Sequence, residues 1–380
     1  MQVSRFSFPT DITFGPGVRH LVAGRLTAEA KRRPLIVTDR GLAALPLVGE
    51  MEQSLAAAGL SCTTFSGIWG NPTKAQVQAG VRAFQLHEAD CVVGLGGGAA
   101  LDVAKAIVLM VGHPGDLFEY EDDMPGARPI DRDIPLWVAL PTTAGTGSEV
   151  GRSAVIADDE THLKKIIFSP RLLARAVFAD PELTVDLPAP VTAATGMDAL
   201  THNIEAFLAK AYHPICDGIA LEGLHLAARH LPTAVAQPYN LEARGGMLMS
   251  SMLGALAFQK GLGVVHSCAH ALGAVCDMHH GLANGLMIDH ALLHNSGTSS
   301  EKFLRMAQAV GLSDTSPEAF LAWLRHLKTL VGLPANLTEA GVKREQLPKL
   351  VDVAVADSCH ANNPGVCGRE DFRAIFERAL

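Results

Sequence analysis

The feature that most constrains the fold is an alternation of short apolar runs with helical patterns over the first half of the chain. Residues 33–39, 62–67, 91–98 and 134–143 are typical of buried strands, and the segments between them have helical spacing, with 41–59 predicted as one helix. Parallel strands need a crossover of a dozen or more residues, which a helix supplies. We therefore expect an α/β domain, mostly parallel and Rossmann-like, with helices on both faces of its sheet.

The alternation stops near Asp186, where a Pro-containing connector begins. Beyond it nearly every segment has helical spacing. Eight helices are predicted, at 192–209, 214–230, 241–260, 263–276, 281–294, 301–311, 317–331 and 344–357. A chain of 380 residues exceeds what one core usually organises. We predict an α/β domain over residues 1–187 and an all-helical domain over residues 188–380.

Charge and cysteine usage narrow the class of partner and the compartment. The net charge is −8, without a basic stripe or a motif of nucleic-acid readers. No run of eighteen apolar residues occurs, and the N-terminus lacks a signal-peptide pattern. Seven cysteines without a CxxC pair suit reduced thiols better than disulfides. We expect a cytoplasmic protein with neither nucleic acid nor membrane as partner.

A glycine-rich turn follows the third predicted strand. Residues 94–99, GLGGGA, match the G-x-G-x-x-G/A pattern, in which glycines let the backbone approach a pyrophosphate at a helix N-terminus. Any tight turn from strand to helix uses glycines for the same steric reason, so both interpretations remain open. Residues 141–149, PTTAGTGSE, either close over the same phosphates or form a surface loop.

Asp39 ends the first predicted strand. Its carboxylate can accept hydrogen bonds from an adenosine ribose and repel a 2′-phosphate, which favours NAD, or it can cap the following helix. In the ordinary Rossmann arrangement the acid comes about twenty residues after the glycines. Asp39 instead precedes Gly96 by 57 residues (96 − 39 = 57).

One aspartate and several histidines have the spacing of a metal site. Asp198 and His202 are four residues apart and share one helical face, His266 begins a second such pair, and His280 follows in the same region. Three imidazoles and one carboxylate form a first shell for a divalent transition metal. Each pair alone is more often a surface hydrogen bond or a buried structural histidine. Their joint occurrence in one domain predicts a metalloenzyme.

The roles of His270 and His279 and the identity of the metal stay open. His270 is a ligand only if the metal lies between it and His266; otherwise it hydrogen-bonds the substrate oxygen or relays its proton. His279 has no assigned role beyond solvent or interface contact. Affinity in a nitrogen-rich site favours zinc over ferrous iron.

The chain resembles the iron-containing (group III) alcohol dehydrogenase family, with its lactaldehyde reductase (propanediol oxidoreductase) branch. The motifs occur in order from about residue 10: TDRGL, GNPT, GLGGGAALDVAK, PTTAGTGSEV, KKIIFSP, DPELT, TGMDALTHNIEAF, GLGVVHSCAHALG, HHGLANG and DSCHANNP. That family binds NAD in a related but distinct α/β domain followed by a helical metal domain, which would explain the position of Asp39.

The resemblance implies a role for each matching residue. The implied iron ligands are Asp198, His202, His266 and His280, with His270 as an active-site neighbour outside the first shell. The implied NAD contacts are Asp39 and Asn71 at the adenosine and ribose, Gly97, Gly98 and Asp102 at the pyrophosphate, Thr142, Thr143 and Ser148 beyond them, and Lys164 and Leu183 on the adenosine side. Cys359 would lie near the nicotinamide, and we expect a homodimer.

The sequence departs from the family pattern at three positions. Ala99 replaces a serine after the glycines, which removes one hydroxyl contact to phosphate. His279 replaces the proline before His280, and Gly365 replaces an arginine that follows Asn-Pro. None of these positions is a predicted ligand.

The predicted function is metal-activated, NAD-dependent oxidation of a small primary alcohol or diol to the aldehyde, and the reverse reduction. Hydride leaves easily only from an alkoxide, which a Lewis acid stabilises. A lyase such as dehydroquinate synthase would need a phosphate-binding cluster of Lys and Arg near the metal. Apolar residues surround Asp198 and His266 instead, which favours an uncharged alcohol or aldehyde as substrate. The alternatives are a 4-hydroxybutyrate-type hydroxyacid dehydrogenase or another reductase of this fold, and a nucleotide-binding sensor with structural zinc.

Overall fold

The computed structural model describes residues 10–122, 124–161 and 163–380, which form two compact units. One unit, here the α/β unit, consists of residues 10–143 and 147–184. The other, the helical unit, consists of residues 144–146 and 185–380. The boundary predicted after residue 187 stays a prediction, and residues 1–9 of the first predicted domain lie outside the described residues.

The α/β unit is built on a parallel sheet, as expected. The strands of its described residues are β1 Asp11–Phe14, β2 Pro34–Asp39, β3 Thr63–Ile68, β4 Cys91–Gly96, β5 Leu136–Pro141, β6 Ser153–Ala157, β7 Lys164–Phe168 and β8 Ala176–Ala179. Six of them form one sheet in the order β1-β8-β5-β4-β2-β3, with every neighbouring pair parallel. The remaining two, β6 and β7, form an antiparallel pair that the sequence did not indicate.

Among the described residues of this unit, five α-helices accompany the strands: α1 Val22–Ala28, α2 Arg40–Ala43, α3 Pro46–Ala57, α4 Lys74–Leu86 and α5 Gly98–Gly112. The single helix predicted over 41–59 is wrong, because the structure divides it into α2 and α3. Pro46 stands in the first turn of α3, and Leu45 before it is extended, with φ −93° and ψ 153°. Proline disfavours the helical conformation in the preceding residue but fits well where a helix begins.

The carboxyl ends of the central strands are the part of the sheet that positions a site. All six residues of β4 are buried, as is every residue of α5 from Ala100 to Leu109. The strand order reverses between β2 and β4, since the chain moves outward to β3 and then returns to the other side of β2. Ligands of open α/β sheets bind at such a switch point, outside the carboxyl ends of the strands.

In residues 185–380 of the second unit, the regular secondary structure is helical, as predicted. Its helices are α6 Ala189–Leu208, α7 Pro214–Ala236, α8 Leu241–Ala257, α9 Val264–Cys276, α10 His280–Ser296, α11 Ser300–Ala309, α12 Pro317–Leu330, α13 Leu347–Ala356 and α14 Arg369–Ala379. The last of these was not predicted. No single helix among the described residues is long and apolar enough to cross a membrane. The bent pair Leu241–Lys260 and Val264–Cys276, at 106°, meets those criteria together.

The centre of the helical unit is α6, which packs against α7, α8 and α10 and is buried on nearly all sides. Its last carbonyls accept hydrogen bonds from two lysines: Lys260 Nζ reaches Phe207 O at 2.9 Å, and Lys302 Nζ reaches the carbonyls of Phe207, Leu208 and Ala209 at 2.8, 2.9 and 3.0 Å. Cations are favourable at the carboxyl end of a helix. This fixes the helix that carries Asp198 and His202.

Candidate metal centre and dinucleotide turn

Four side chains of the helical unit converge on one point. Asp198 and His202 come from α6, His266 from the first turn of α9, and His280 from the first residue of α10. One donor atom from each lies within 4.8 Å of all the others. Asp198 Oδ1 is 3.8 Å from His202 Nε2 and 3.5 Å from His280 Nε2. The structure thus brings together the four residues predicted as metal ligands.

Burial sets the charge of this cluster. Asp198, His202 and His266 are at most 3% exposed. Burial lowers the pKa of His202 to about 4, although the Asp198 carboxylate opposes that shift. Burial alone would raise the pKa of Asp198, but the neighbouring imidazoles and a hydrogen bond from Asn284 bring it to about 2. At neutral pH the cluster therefore offers an anionic carboxylate and a neutral His202 imidazole, the forms that bind metals.

Glu205 orients His266, one of the predicted ligands, and was missed by the sequence analysis. Its carboxylate accepts hydrogen bonds from the backbone N–H groups of Gly263, Val265 and His266 at 3.0, 2.7 and 3.2 Å, and from His266 Nδ1 at 2.6 Å. One buried side chain thus caps α9 and keeps the Nδ1 proton of His266 in place, which leaves the Nε2 lone pair for a metal. Its sequence signal was its position one helical turn after His202.

The start of α10 packs closely against α6. A Cβ at Gly281 would lie 2.3 Å from the carbonyl oxygen of Ala194 and 3.3 Å from Asp198 Cβ. Only glycine therefore permits this approach, which places His280 beside Asp198. His279, left unassigned above, caps the same helix, because its Nδ1 accepts a 3.4 Å hydrogen bond from the Leu282 N–H.

Asn284 lies one turn after His280 and also escaped the sequence analysis. Its Nδ2 donates to Asp198 Oδ1 at 2.7 Å and lies 3.4 Å from His266 Nε2 and 3.3 Å from His280 Nε2. Its Oδ1 is buried and has no hydrogen-bond partner among the described residues. Asp198 Oδ1 and the Nε2 atoms of two histidines thus surround the single Nδ2 group of Asn284. No Lys or Arg among the described residues forms an ion pair with Asp198. A buried carboxylate and three imidazoles with this deficit of positive charge fit a divalent cation.

His270 and Cys359 lie in a second cluster with Asp357, whose donor atoms are also within 4.8 Å of one another. His270 Nδ1 donates to Asp357 Oδ2 at 2.7 Å, while Ser267 Oγ donates to Asp357 Oδ1 at 2.7 Å. Burial would raise the pKa of Asp357, but these hydrogen bonds hold it well below its usual range. Burial and the Asp357 carboxylate raise the pKa of the Cys359 thiol. Cys359 therefore stays protonated.

The rings of His270 and His280 are stacked, with centroids 5.4 Å apart and an interplanar angle of 19°. His270 is therefore adjacent to the four-donor cluster without belonging to it. Asp357 precedes Cys359 by two residues in the DSC motif, but nothing in that spacing indicated a contact with α9.

The glycine turn lies in the α/β unit at the carboxyl end of β4. Gly96 has φ +154°, a conformation that side chains strongly disfavour, and a Cβ there would meet Ala100 Cβ at 2.7 Å. Gly97 caps α5 without a side-chain hydrogen bond, so the N–H groups of the first turn remain available for an anion.

Asp39 lies beside this turn because β2 and β4 are neighbours in the sheet. Asp39 Oδ1 caps α2 by accepting from the Leu42 N–H at 2.9 Å. Its Oδ2 would be 3.7 Å from a Cβ at Gly96. One oxygen therefore caps a helix and the other borders the turn, despite the long sequence separation, and the ribose contact of this acid stays a prediction.

Thr142 and Thr143 border the same turn at the end of β5. The Thr142 N–H donates to Gly96 O at 3.1 Å, and Thr143 Oγ1 would lie 3.2 Å from a Cβ at Gly97. Gly98 is the first residue of α5. The structure therefore places these five predicted cofactor contacts, Asp39 included, around one strand-to-helix turn.

Asp102 and Ser148 contact each other and a buried lysine. Ser148 Oγ donates to Asp102 Oδ1 at 2.5 Å, and Lys105 Nζ donates to Ser148 Oγ at 2.7 Å. The other oxygen of Asp102 accepts from the Val155 N–H at 3.0 Å. Both oxygens of Asp102 are thus engaged by protein groups, which tie α5 to the strand β6.

The last predicted contacts lie farther from the glycines in the sequence. Asn71 is exposed in the loop before α4, and Pro72 O accepts a 2.7 Å hydrogen bond from the N–H of Ala157, the strand partner of Lys164. The β6–β7 pair therefore brings Lys164 towards the Asn71 loop. Leu183 is 7% exposed and packs in the core of the α/β unit. The cofactor roles of all ten residues stay predictions.

A helical unit with a His₃Asp cluster and an α/β unit with an acid-flanked glycine turn fit the class of metal-dependent dehydrogenases that use a nicotinamide dinucleotide. Comparison with known proteins identifies the family. The iron-containing alcohol dehydrogenase model matches residues 9–181, and the C-terminal model of the Fe-containing alcohol dehydrogenase family matches residues 192–380.

Individual relatives match along nearly their whole length. A 1,3-propanediol dehydrogenase of Klebsiella pneumoniae is 36% identical over 376 residues, covering 97% of this chain and 96% of that protein. A 4-hydroxybutyrate dehydrogenase of Cupriavidus necator is 39% identical over 362 residues, covering 92% of each.

Solved structures agree with this assignment. A 1,3-propanediol oxidoreductase superposes with a TM-score of 0.95 at 35% identity, covering 100% of both chains. A sulfoacetaldehyde reductase of Bifidobacterium kashiwanohense, solved in complex with NAD+, gives 0.91 at 28% identity, covering 100% of this chain and 99% of that one. The chain belongs to the iron-containing alcohol dehydrogenase family. It is therefore an oxidoreductase of alcohols and aldehydes with NAD and iron as its family's cofactors.

Proposed function

We propose that this chain oxidises a small primary alcohol or diol to the aldehyde with NAD as hydride acceptor, and catalyses the reverse reduction. The observation that carries the proposal is the convergence of Asp198, His202, His266 and His280 on one point. We assign these four side chains as the ligands of Fe²⁺, with Zn²⁺ as the alternative ion that the donor set also accepts. Such an ion supplies Lewis acidity that makes an alcohol hydroxyl easier to ionise.

His270 and Asp357 would handle the proton of the alcohol. Because Asp357 Oδ2 accepts the Nδ1 proton of His270, the lone pair of His270 lies on Nε2. That nitrogen can accept a proton during oxidation and return it during reduction. Since the Cys359 thiol stays protonated, we assign it to the wall near the nicotinamide and not to nucleophilic chemistry.

The proton role is testable with Asp357→Asn. The amide cannot hold the Nδ1 proton of His270 in the same way, so we expect kcat to fall by at least about tenfold with little change in KM, and the pH profile to shift. Asp352→Asn is the control, since Asp352 lies exposed on α13 in an ion pair with Arg369. An unchanged pH profile in Asp357→Asn would remove the dyad from the mechanism.

For the cofactor we propose contacts from Asp39, Asn71, Gly97, Gly98, Asp102, Thr142, Thr143, Ser148, Lys164 and Leu183. The Asp39 carboxylate beside the glycine turn favours the ribose hydroxyls of NAD over the 2′-phosphate of NADP. Asp39→Ala should therefore lower the ratio of kcat/KM for NAD to kcat/KM for NADP. Steady-state kinetics with each cofactor measures this ratio.

A second candidate substrate class is a short hydroxyacid, since the 4-hydroxybutyrate dehydrogenase is 39% identical to this chain. The two candidates differ in charge. Nicotinamide absorbance should be followed with methanol, butanol, 1,3-propanediol and 4-hydroxybutyrate. A higher kcat/KM for the diol or an alcohol supports the first proposal, and a higher value for the hydroxyacid supports the second.

The metal assignment is tested by metal analysis of anaerobically purified protein and by His266→Ala. This variant should lose the bound ion and turnover while its NAD affinity, measured by calorimetry, stays within about threefold of the parent because the turn lies in the other unit. Loss of NAD binding with the ion retained would contradict the assignment. Reconstitution with Fe²⁺ or Zn²⁺ separately shows which ion supports activity.

We further propose the domain division at 187/188, a cytoplasmic location and a homodimer, with neither nucleic acid nor membrane as partner. All seven cysteines are unbridged, as in proteins of reducing compartments. Light scattering after size exclusion measures the mass of the assembly against the 40.1 kDa chain.

A further inference from the structure

A third cluster of metal-type side chains lies in the helical unit, apart from those above. It consists of His294 near the end of α10, Cys367 in the loop before α14, and Asp371 in the first turn of α14. One donor atom of each lies within 4.8 Å of the other two. No residue of this cluster belongs to the proposed catalytic machinery.

The backbone orients two of these side chains towards each other. His294 Nε2 is 2.8 Å from the carbonyl oxygen of Val366. A carbonyl can only accept, so Nε2 carries the proton and Nδ1 carries the lone pair. Asp371 Oδ2 accepts from the Gly368 N–H at 2.8 Å, which leaves Oδ1 at 3.8 Å from His294 Nδ1. Backbone partners of this kind hold metal ligands in the required orientation.

Cys367 completes the set. Its side chain is 5% exposed, and burial together with the Asp371 carboxylate raises the pKa of its thiol to about 12. Among the described residues, no Lys or Arg forms an ion pair with Asp371. Thiolate and carboxylate would together balance the two charges of a divalent cation, and the thiol proton would leave to solvent.

We propose that His294 Nδ1, Cys367 Sγ and Asp371 Oδ1 form a second metal site, which takes Zn²⁺ with a water molecule as fourth ligand. Sulfur, imidazole and carboxylate are the donors that tetrahedral zinc prefers. The water position makes the ion exchangeable. This site is distinct from the first: His294 is fourteen residues after His280 on α10 (294 − 280 = 14), a separation of about 21 Å at the helical rise.

Cobalt(II) distinguishes the two sites in the full-length, metal-free protein. The first cluster has only oxygen and nitrogen donors, whereas Co²⁺ bound to Cys367 would give a thiolate-to-cobalt charge-transfer band in the near ultraviolet. We expect this band to appear on titration with Co²⁺ and to disappear when Zn²⁺ is added. Cys367→Ser should abolish the band. His202→Ala should retain it, because that substitution affects only the first cluster.

Two further cysteine variants serve as matched controls. Cys276→Ser, at a half-buried cysteine outside all three clusters, and Cys359→Ser, in the cluster with His270, should both keep the band. If circular dichroism shows that Cys367→Ser does not fold, His294→Gln and Asp371→Asn are used in its place. Each of these variants should lower the Co²⁺ affinity of this site by at least about tenfold. Absence of the band in the parent, its survival in Cys367→Ser, or its loss in Cys359→Ser would overturn the proposal.

Discussion

Glu205 contacts both the start of α9 and the predicted metal ligand His266. The same carboxylate satisfies three N–H groups at the start of α9 and the imidazole of His266. Orphan N–H groups at a helix start are costly when buried, and an oriented imidazole binds metal more tightly. A change at Glu205 should therefore affect helix stability and metal affinity together.

Glu205→Gln provides the test. The amide places an NH₂ group against backbone donors, so we expect a 10- to 100-fold loss in metal affinity, about the range for partners of metal-binding histidines. Metal affinity is measured by competition with a chelator of known strength. Glu222→Gln, at an exposed position of α7, is the control and should leave affinity unchanged. Equal affinities in the two variants would show that Glu205 has no orienting role.

Glu149 in the α/β unit gives a prediction about pH. It is 2% exposed, and burial raises its pKa from 4.5 to about 7, despite the opposing effect of Lys105. Between pH 4.5 and about 7, Glu149 keeps its proton in the folded chain and releases it in the unfolded chain. The free energy of unfolding should therefore fall as pH rises from 4.5 to 7, by about 1–3 kcal/mol from this group.

Glu149→Gln removes that titration. Relative to the parent, the variant should gain stability at pH 8 and gain much less at pH 5, where the parent carboxyl is already protonated. Urea unfolding at both values measures the difference. The same change in stability at both pH values would exclude Glu149 as the titrating group.

The start of α10 is the element on which the metal cluster depends most closely. Gly281→Ala would place a methyl group 2.3 Å from Ala194 O on α6. Because that atom belongs to a buried backbone, α10 must shift, and His280 with it. We expect at least a tenfold loss in metal affinity and about 1–3 kcal/mol in stability, measured by chelator competition and denaturant unfolding.

Gly297→Ala is the matched control at the other end of α10. A Cβ there meets nothing within 4 Å, and the residue has φ −74°. Its metal affinity and stability should stay close to those of the parent. If Gly281→Ala behaved like this control, close packing of α6 and α10 would not be what positions His280.

Elements with a regular apolar pattern were predictable from the sequence, and those fixed by tertiary contacts were not. The strand β4 and the helix α6 were found because their burial produces continuous or periodic apolar runs. The short strands β1 and β8 and the hairpin β6–β7 carry too few residues for such a pattern. α14 was missed because REDFRAIFERA is dominated by charged residues, although Phe372, Ile375 and Phe376 form a buried face.

On the scale of the whole molecule, the metal and the dinucleotide should stabilise different parts of the chain. Removal of the ion should increase amide hydrogen exchange mainly in α6, α9 and the first turns of α10. NAD should slow exchange mainly at the turns after β2, β4 and β5. A ligand protects the segments whose opening abolishes its site. Mass spectrometry with each ligand added separately measures this, and protection that spread equally over both units would contradict it.

Within the candidate site, the sequence alone predicts only contacts between residues that are one turn apart on the same helix. The pair Asp198 and His202 is visible in the sequence because four residues make one turn. That His266 and His280 meet this pair depends on how three helices pack, and the resemblance to a family supplied it. Asn284 and Asp357 gave no signal, and Glu205 gave only its position one helical turn after His202, because each acts through a contact between elements distant in sequence.

The double role of Glu205 has a consequence for protein engineering. Mutations that move the beginning of α9 would also disturb the tautomer of His266. Variants selected for bulkier alcohols would then emerge with incomplete metal loading, and their low turnover would be mistaken for poor substrate fit. Libraries should therefore leave residues 263–266 intact, and specific activity should be normalised to bound iron.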